Sequence, residues 1–111
     1  MKGYDTEAAR KYIVSRLDPK QFRSLKNELN DLIEELIGYD LAFMHESGVL
    51  NENGEQGENE YDDDEAIEYL YDAWLSAHPE RDDEDMKIAA LINEYMDLQY
   101  SFLDENGLTD L

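Results

Sequence analysis

Phe22, Leu25, Leu29, Leu32, Leu36, Tyr39 and Phe43 recur at alternating steps of three and four residues. Sustained over about three heptads, that spacing puts every member on one face of an α-helix. A strand would send successive positions to opposite faces and split the set. Ile33, Ile37 and Met44 widen the stripe into a core-facing band. Gly38 falls inside it without a change of phase. It therefore reads as tolerated within one helix, at about 1 kcal/mol relative to Ala. "LDPKQF" supplies a start, with Asp18 as cap and Pro19 at the first helical position, where its missing N–H costs nothing. "ESGVL" supplies a stop, with Gly48 suited to a left-handed cap. The pattern predicts a helix over 19–46.

Three further stripes follow the same rule. Asp5 or Thr6 can cap a helix over 6–17 that carries Ala9, Tyr12, Ile13 and Leu17 on one face. The acids Asp62, Asp63 and Asp64 suit the positive end of a helix over 64–77, whose stripe is Ile67, Leu70, Tyr71, Trp74 and Leu75. Pro79 stops it. "ERDDED" then leads into a helix over 83–104 with Ile88, Leu91, Ile92, Tyr95, Leu98 and Phe102 on one face, and Gly107 ends it. Between the second and third helices, an acidic loop at about 51–63 holds Asn and Gly and no aliphatic side chain. The tail "LTDL" reads as loosely held.

The fold class expected is all-α: a single helical domain over 1–111, bundle-like, with four helices of which two are long. At 1.5 Å per residue, residues 19–46 would span about 42 Å. A compact chain of this size is about 35 Å across. Either the monomer is elongated or the long helices pair with a second copy, a homodimer whose hairpins complete a bundle. Hydrophobic residues make up 41% of the chain, enough for a core despite a net charge of −20. There is no cysteine, so thiolate and disulfide chemistry are excluded. The first twelve residues contain no apolar run, and no segment is apolar over the ~18 residues that a membrane span needs. A cytoplasmic protein without a membrane partner is expected.

The charge is unevenly laid out. Residues 1–26 hold Lys2, Arg10, Lys11, Arg16, Lys20, Arg23 and Lys26 against Asp5, Glu7 and Asp18, a net +4. Residues 27–111 hold 26 acids against Arg81 and Lys87, a net −24. Such a body repels nucleic acid and anionic lipid, so direct nucleic-acid binding is not expected. The basic residues either neutralise the body within the fold, the favoured reading, or form a separate contact site.

The densest acidic stretch is "EYDDDEAIEYLYDAWLSAHPERDDED", with twelve acids in 26 residues and aromatics among them. Helical phase places Glu65, Glu68, Tyr69 and Asp72 away from the Ile67/Leu70/Trp74 stripe. Tyr supplies contact area at low entropic cost and acids supply steering. These four residues are the candidate surface for a basic protein partner, as in a nucleic-acid mimic or an inhibitor. The plain alternative is a solvated helix face that keeps the chain soluble. The expected function is a non-catalytic binding or regulatory module with no cofactor.

A second reading is enzymatic. "EAIE" presents Glu65 and Glu68, and "EYMD" presents Glu94 and Asp97. These two tetrapeptides on two helices resemble the paired carboxylates of the MazG-like all-α nucleotide pyrophosphohydrolases. The resemblance implies Mg²⁺ held by Glu65, Glu68, Glu94 and Asp97 on a nucleoside triphosphate. Against it, "ENGE", "EQGE" and "EYDD" also fit the pattern, and helical phase puts Asp97 and Glu65 nearly opposite their apolar stripes. A calcium loop in "NENGEQGENEYD" lacks glycine at its sixth place, Gln56, and ends on Asp62 rather than Glu. His45 and His78 have no second ligand at helical spacing. No serine has a nucleophile's context.

Overall fold

Asp5 opens the first helix: its side chain accepts a hydrogen bond from the Ala8 amide at 3.1 Å. The computed structural model describes residues 3–55 and 57–108. From Asp5 the chain runs as α1 (Thr6–Arg16), and Ala9 and Ile13 are buried on its inner face. Asp62 caps α3 (Asp63–Ala77) in the same way, accepting from the Glu65 amide at 3.1 Å. The two remaining helices are α2 (Leu29–Glu46) and α4 (Asp85–Glu105). Phe43 of α2 lies against Tyr69 of α3, while Glu35 reaches His78 beyond the far end of α3. α2 and α3 are therefore antiparallel. A contact between Tyr71 and Asp85 turns α4 back along α3. Each helix packs on the next and α1 closes against α4, while no Cα of α1 comes within 8 Å of one in α3. The all-α, bundle-like architecture expected from the stripes is the one observed.

The first expectation to be corrected is the helix over 19–46. Asp18 and Pro19 do start a turn, in which Asp18 accepts from the Lys20 amide at 2.9 Å. The turn fails at Phe22, whose backbone leaves the helical region (φ −112°, ψ 34°) as its ring enters the core at 3% exposure. A 3₁₀ segment, Arg23–Glu28, follows, and α2 begins only at Leu29. The stripe keeps its phase across this break because a 3₁₀ helix repeats every three residues, which is the step from Phe22 to Leu25. Both side chains are buried, as are Leu29, Leu32 and Leu36 beyond them.

The fourth helix is also preceded by a 3₁₀ segment, Pro79–Glu84, in which Arg81 departs from helical angles (φ −116°, ψ 29°). The two segments are tied together. Arg81 donates Nη1 and Nη2 to the two oxygens of Glu28 at 2.7 and 3.1 Å, and Nε to Glu84. Its guanidinium also lies 5.3 Å from the centre of the Trp74 ring. Glu28 is thus held by a residue 53 positions away rather than capping α2, which has no side-chain cap.

With α2 reduced to 18 residues, it is about 27 Å long. The molecule measures 38 × 27 × 19 Å with a radius of gyration of 13.7 Å, against about 13 Å expected for a compact chain of this length. The long continuous helix that pointed to a second copy is not formed. The wide apolar bands of α2 and α4 are buried within the chain. Among the described residues the large hydrophobic side chains left exposed are Met86 (81%) and Tyr100 (64%). No helix among them is long and apolar enough to cross a membrane.

Gly48 takes the left-handed conformation (φ 82°) expected of it after α2. The loop beyond is folded on itself. A side chain on Gly57 would meet the Gly48 carbonyl oxygen at 2.2 Å, and that close approach lets the Gly57 amide donate to Val49 O at 2.7 Å. Asn51 Oδ1, the first oxygen of the calcium-loop pattern, accepts from the amides of Asn53 and Glu55. It is therefore occupied by the loop's own turn. Gln56 and the end of the tail, residues 109–111, lie outside the described residues.

Candidate functional site

On α3 the expected stripe turns inward at Leu70 and Trp74, is half-buried at Ile67, Tyr71 and Leu75, and is joined by Ala66. Ala66, Leu70 and Trp74 are buried, and Glu65, Glu68 and Asp72 are exposed. None of these three acids has an ion-pair partner among the described residues. Tyr69, the fourth residue expected outward, is a correction. It is half-buried, its ring sits 5.3 Å from that of Phe43, and its hydroxyl donates to Glu46. Antiparallel packing brings the end of α2 across this flank of α3, so Tyr69 is a packing residue and not a free anchor.

Among the described residues, the lysines and arginines of the basic segment form no ion pair with the acidic body. Arg10 and Lys11 pair with Glu7 of their own helix, Arg10 also reaches Asn30, and Arg16 lies over the Tyr12 ring at 3.5 Å. Arg23 and Lys26 form no ion pair among the described residues. Of the arginines and lysines there, Arg81 alone joins carboxylates from separate elements. The basic α1 packs on the acidic α2 and α4, and no Cα of α1 comes within 8 Å of one in α3.

The four carboxylates of the enzymatic reading are not gathered. Glu65, Glu68 and Asp97 are exposed and Glu94 is half-buried. No group of three or more His, Asp or Glu side chains placed to hold a metal ion occurs among the described residues. Outward phase is the cause: each acid lies off the seam along which α3 and α4 pack. His45 is exposed at the end of α2. His78 stacks on Trp74 with ring centres 4.5 Å apart, and its Nε2 lies 2.7 Å from the Glu35 carboxylate, which also accepts from Tyr39. That arrangement joins α2 to the end of α3.

A different polar group is built into the core. Asp40 of α2 is wholly buried. Its Oδ1 accepts from the Tyr61 hydroxyl at 2.6 Å and its Oδ2 from the Tyr95 hydroxyl at 2.7 Å. Burial pushes the Asp40 carboxyl up to about 6, against the two hydroxyl donors, which favour its ionised form; the nearby Asp63 adds to the rise. Burial and the Asp40 charge likewise hold the Tyr95 hydroxyl well above its usual range. One turn along α4 from Tyr95, Gln99 is 4% exposed and its Nε2 donates to the Tyr4 hydroxyl at 2.7 Å. Its Oε1 is buried and accepts nothing.

Asp40 and Gln99 belong to the wall of a cavity of about 320 Å³, together with Tyr61, Met96, Tyr100 and Leu103. Sequence reasoning passed over both residues. The signal was present: Asp40 lies three residues after Ile37 and four before Met44, and Gln99 lies four after Tyr95 and three before Phe102. Each is a polar residue at a core phase.

No protein-family model matches the chain, and neither a curated protein nor a solved structure matches it.

Proposed function

We propose that the protein is a non-catalytic binding module whose α3 face takes a basic protein partner. The observation that supports this reading is that Glu65, Glu68 and Asp72 are exposed and form no ion pair among the described residues, on the helix whose backbone stays clear of α1. Exposed acids without counter-ions project a field that accelerates encounter with a cationic surface. A basic surface that holds nucleic acid fits the same description, so mimicry of nucleic acid belongs to this reading. Tyr69 drops out of the contact set, and recognition rests on the carboxylates and on what the partner brings.

A mixture of core histones serves as a basic probe. Its association with the protein is expected to slow steeply between about 50 and 200 mM salt, as screening shortens the field. The combined variant Glu65→Gln, Glu68→Gln and Asp72→Asn should lower the on-rate at low salt without loss of stability. Neutralising Asp31, Asp97 and Asp104, which are exposed elsewhere, should lower it less. Equal effects of the two triple variants would reduce the reading to net charge alone.

A further inference from the structure

We propose that the groove between α3 and α4 docks a short basic segment of another protein, which seats one bulky apolar side chain on Ile67, Met96 and Tyr100 and sets its cationic neighbours against Asp63 and Asp97. This rests on the α3 reading for the charge of the partner, and it adds the apolar contact that Tyr69 does not supply. The groove has a volume of about 730 Å³ and adjoins the cavity beside Asp40, with which it shares Asp63, Met96 and Tyr100. Asp63 and Ile67 stand on its α3 side, and Asn93, Met96, Asp97 and Tyr100 on its α4 side.

Every group that the partner would touch is accessible. Ile67 and Met96 are half-buried, and Asp63, Asn93 and Asp97 are exposed. Tyr100, 64% exposed, is the only exposed aromatic side chain among the described residues. Tyr and Met are the residue types enriched where proteins meet, and a thioether adapts to the shape of an incoming anchor. Charge then selects the occupant. Both charged side chains of the groove are acidic, no basic residue lines it, and neither Asp63 nor Asp97 has an ion-pair partner among the described residues. An acidic segment is repelled. The hydrogen-bonding groups are mixed. The carboxylates accept, whereas the Tyr100 hydroxyl, which has no partner among the described residues, can donate. A basic peptide carries cationic side chains, N–H donors and carbonyl acceptors in one strand and matches both. A free amine has no acceptor for the hydroxyl. Length agrees with this. Asn93 and Tyr100 are about 10 Å apart along α4, a span that an extended chain crosses in about three residues: the anchor and one cationic neighbour on each side.

The test is an amide chemical-shift titration of the full chain at near-physiological salt. The probes are the amidated peptides Lys-Lys-Phe-Lys-Lys, Lys-Lys-Ala-Lys-Lys and Glu-Glu-Phe-Glu-Glu. The first is expected to saturate, with shifts centred on Ile67, Met96 and Tyr100. The second, of equal charge but without the anchor, should bind at least about fivefold more weakly. The acidic peptide should not bind. Tyr100→Ala, at an exposed position, should weaken the first peptide about fivefold. Asn93→Arg, also at an exposed position, puts a cation into the groove and should weaken it more than about tenfold. Equal binding of the two basic peptides, wild-type affinity in both variants, or shifts that spare Ile67, Met96 and Tyr100 would each overturn the proposal. The combined Glu65, Glu68 and Asp72 variant should keep the preference for Phe over Ala, since those acids act at long range on the on-rate. Asp97 acts here at contact range, on the off-rate, and leaves the on-rate comparison for α3 as stated. A histone on-rate that ignores the α3 acids, with the preference for Phe intact, removes the α3 reading alone. Loss of that preference with the histone effect intact removes the groove alone.

Discussion

Asp40 shows how a single residue can tie a fold together at an energetic cost. Burial outweighs the two tyrosine donors and pushes its folded carboxyl up to about 6, against 3.8 for an aspartate in the unfolded chain. Below pH ~4 both states are protonated and the group contributes no pH dependence. Between ~4 and ~6 the native state keeps a proton that the unfolded chain has released, so this group's contribution to stability falls as pH rises. The loss is complete above ~6 and amounts to about 3 kcal/mol. Asp40→Asn removes the charge, so its stability relative to wild type should improve by up to that amount between pH 4 and pH 7, measured by denaturant unfolding. A constant difference across that range would show that Asp40 does not carry the shifted titration. Tyr69 gives a second prediction at this scale. Because its ring packs on Phe43, Tyr69→Ala should cost about 2 kcal/mol, whereas Glu65→Gln, at an exposed position, should stay within about 0.5 kcal/mol.

At the scale of elements, the helices follow local rules, as do the starts of α1 and α3, but the starts of α2 and α4 do not. Asp5 and Asp62 cap α1 and α3 where side-chain chemistry favours a cap. α2 and α4 instead emerge from 3₁₀ segments joined by Arg81, a residue with no helical signal of its own in the sequence. Gly38 within α2 is exposed, and a methyl group added there meets nothing within 4 Å. Gly38→Ala should therefore stabilise the protein by about 1 kcal/mol, read as a rise in the denaturation midpoint at unchanged slope. A loss of stability would mean that the backbone of α2 bends at this position.

For the whole molecule, the layout of charge and apolar surface bears on its state of association. The bands of α2 and α4 that suggested a dimer are already covered by α1 and α3. A net charge of −20 opposes the approach of a second copy except at high salt. Light scattering at micromolar concentration is expected to give the monomer mass of 13.0 kDa. Twice that mass at low salt would point to an interface built from Met86, Tyr100 or the unpaired basic residues.

The sequence by itself determined the helical class, most of the inward faces, the stops Gly48 and Gly107, and, as one of two candidates, the cap Asp5. These depend on interactions within about four residues, so they are written locally. It also placed Glu65, Glu68 and Asp72 outward, since phase alone decides that. The tertiary structure decided where α2 begins, which side chain Arg81 holds, that Tyr69 lies under the end of α2, and that Asp40 and Gln99 meet at a cavity. Asp40 finds its donors 21 and 55 residues away, and Gln99 donates to a hydroxyl 95 residues away. No local pattern encodes such partners. A polar residue at a core phase announces that a partner must exist, and only the packing of four helices shows which one.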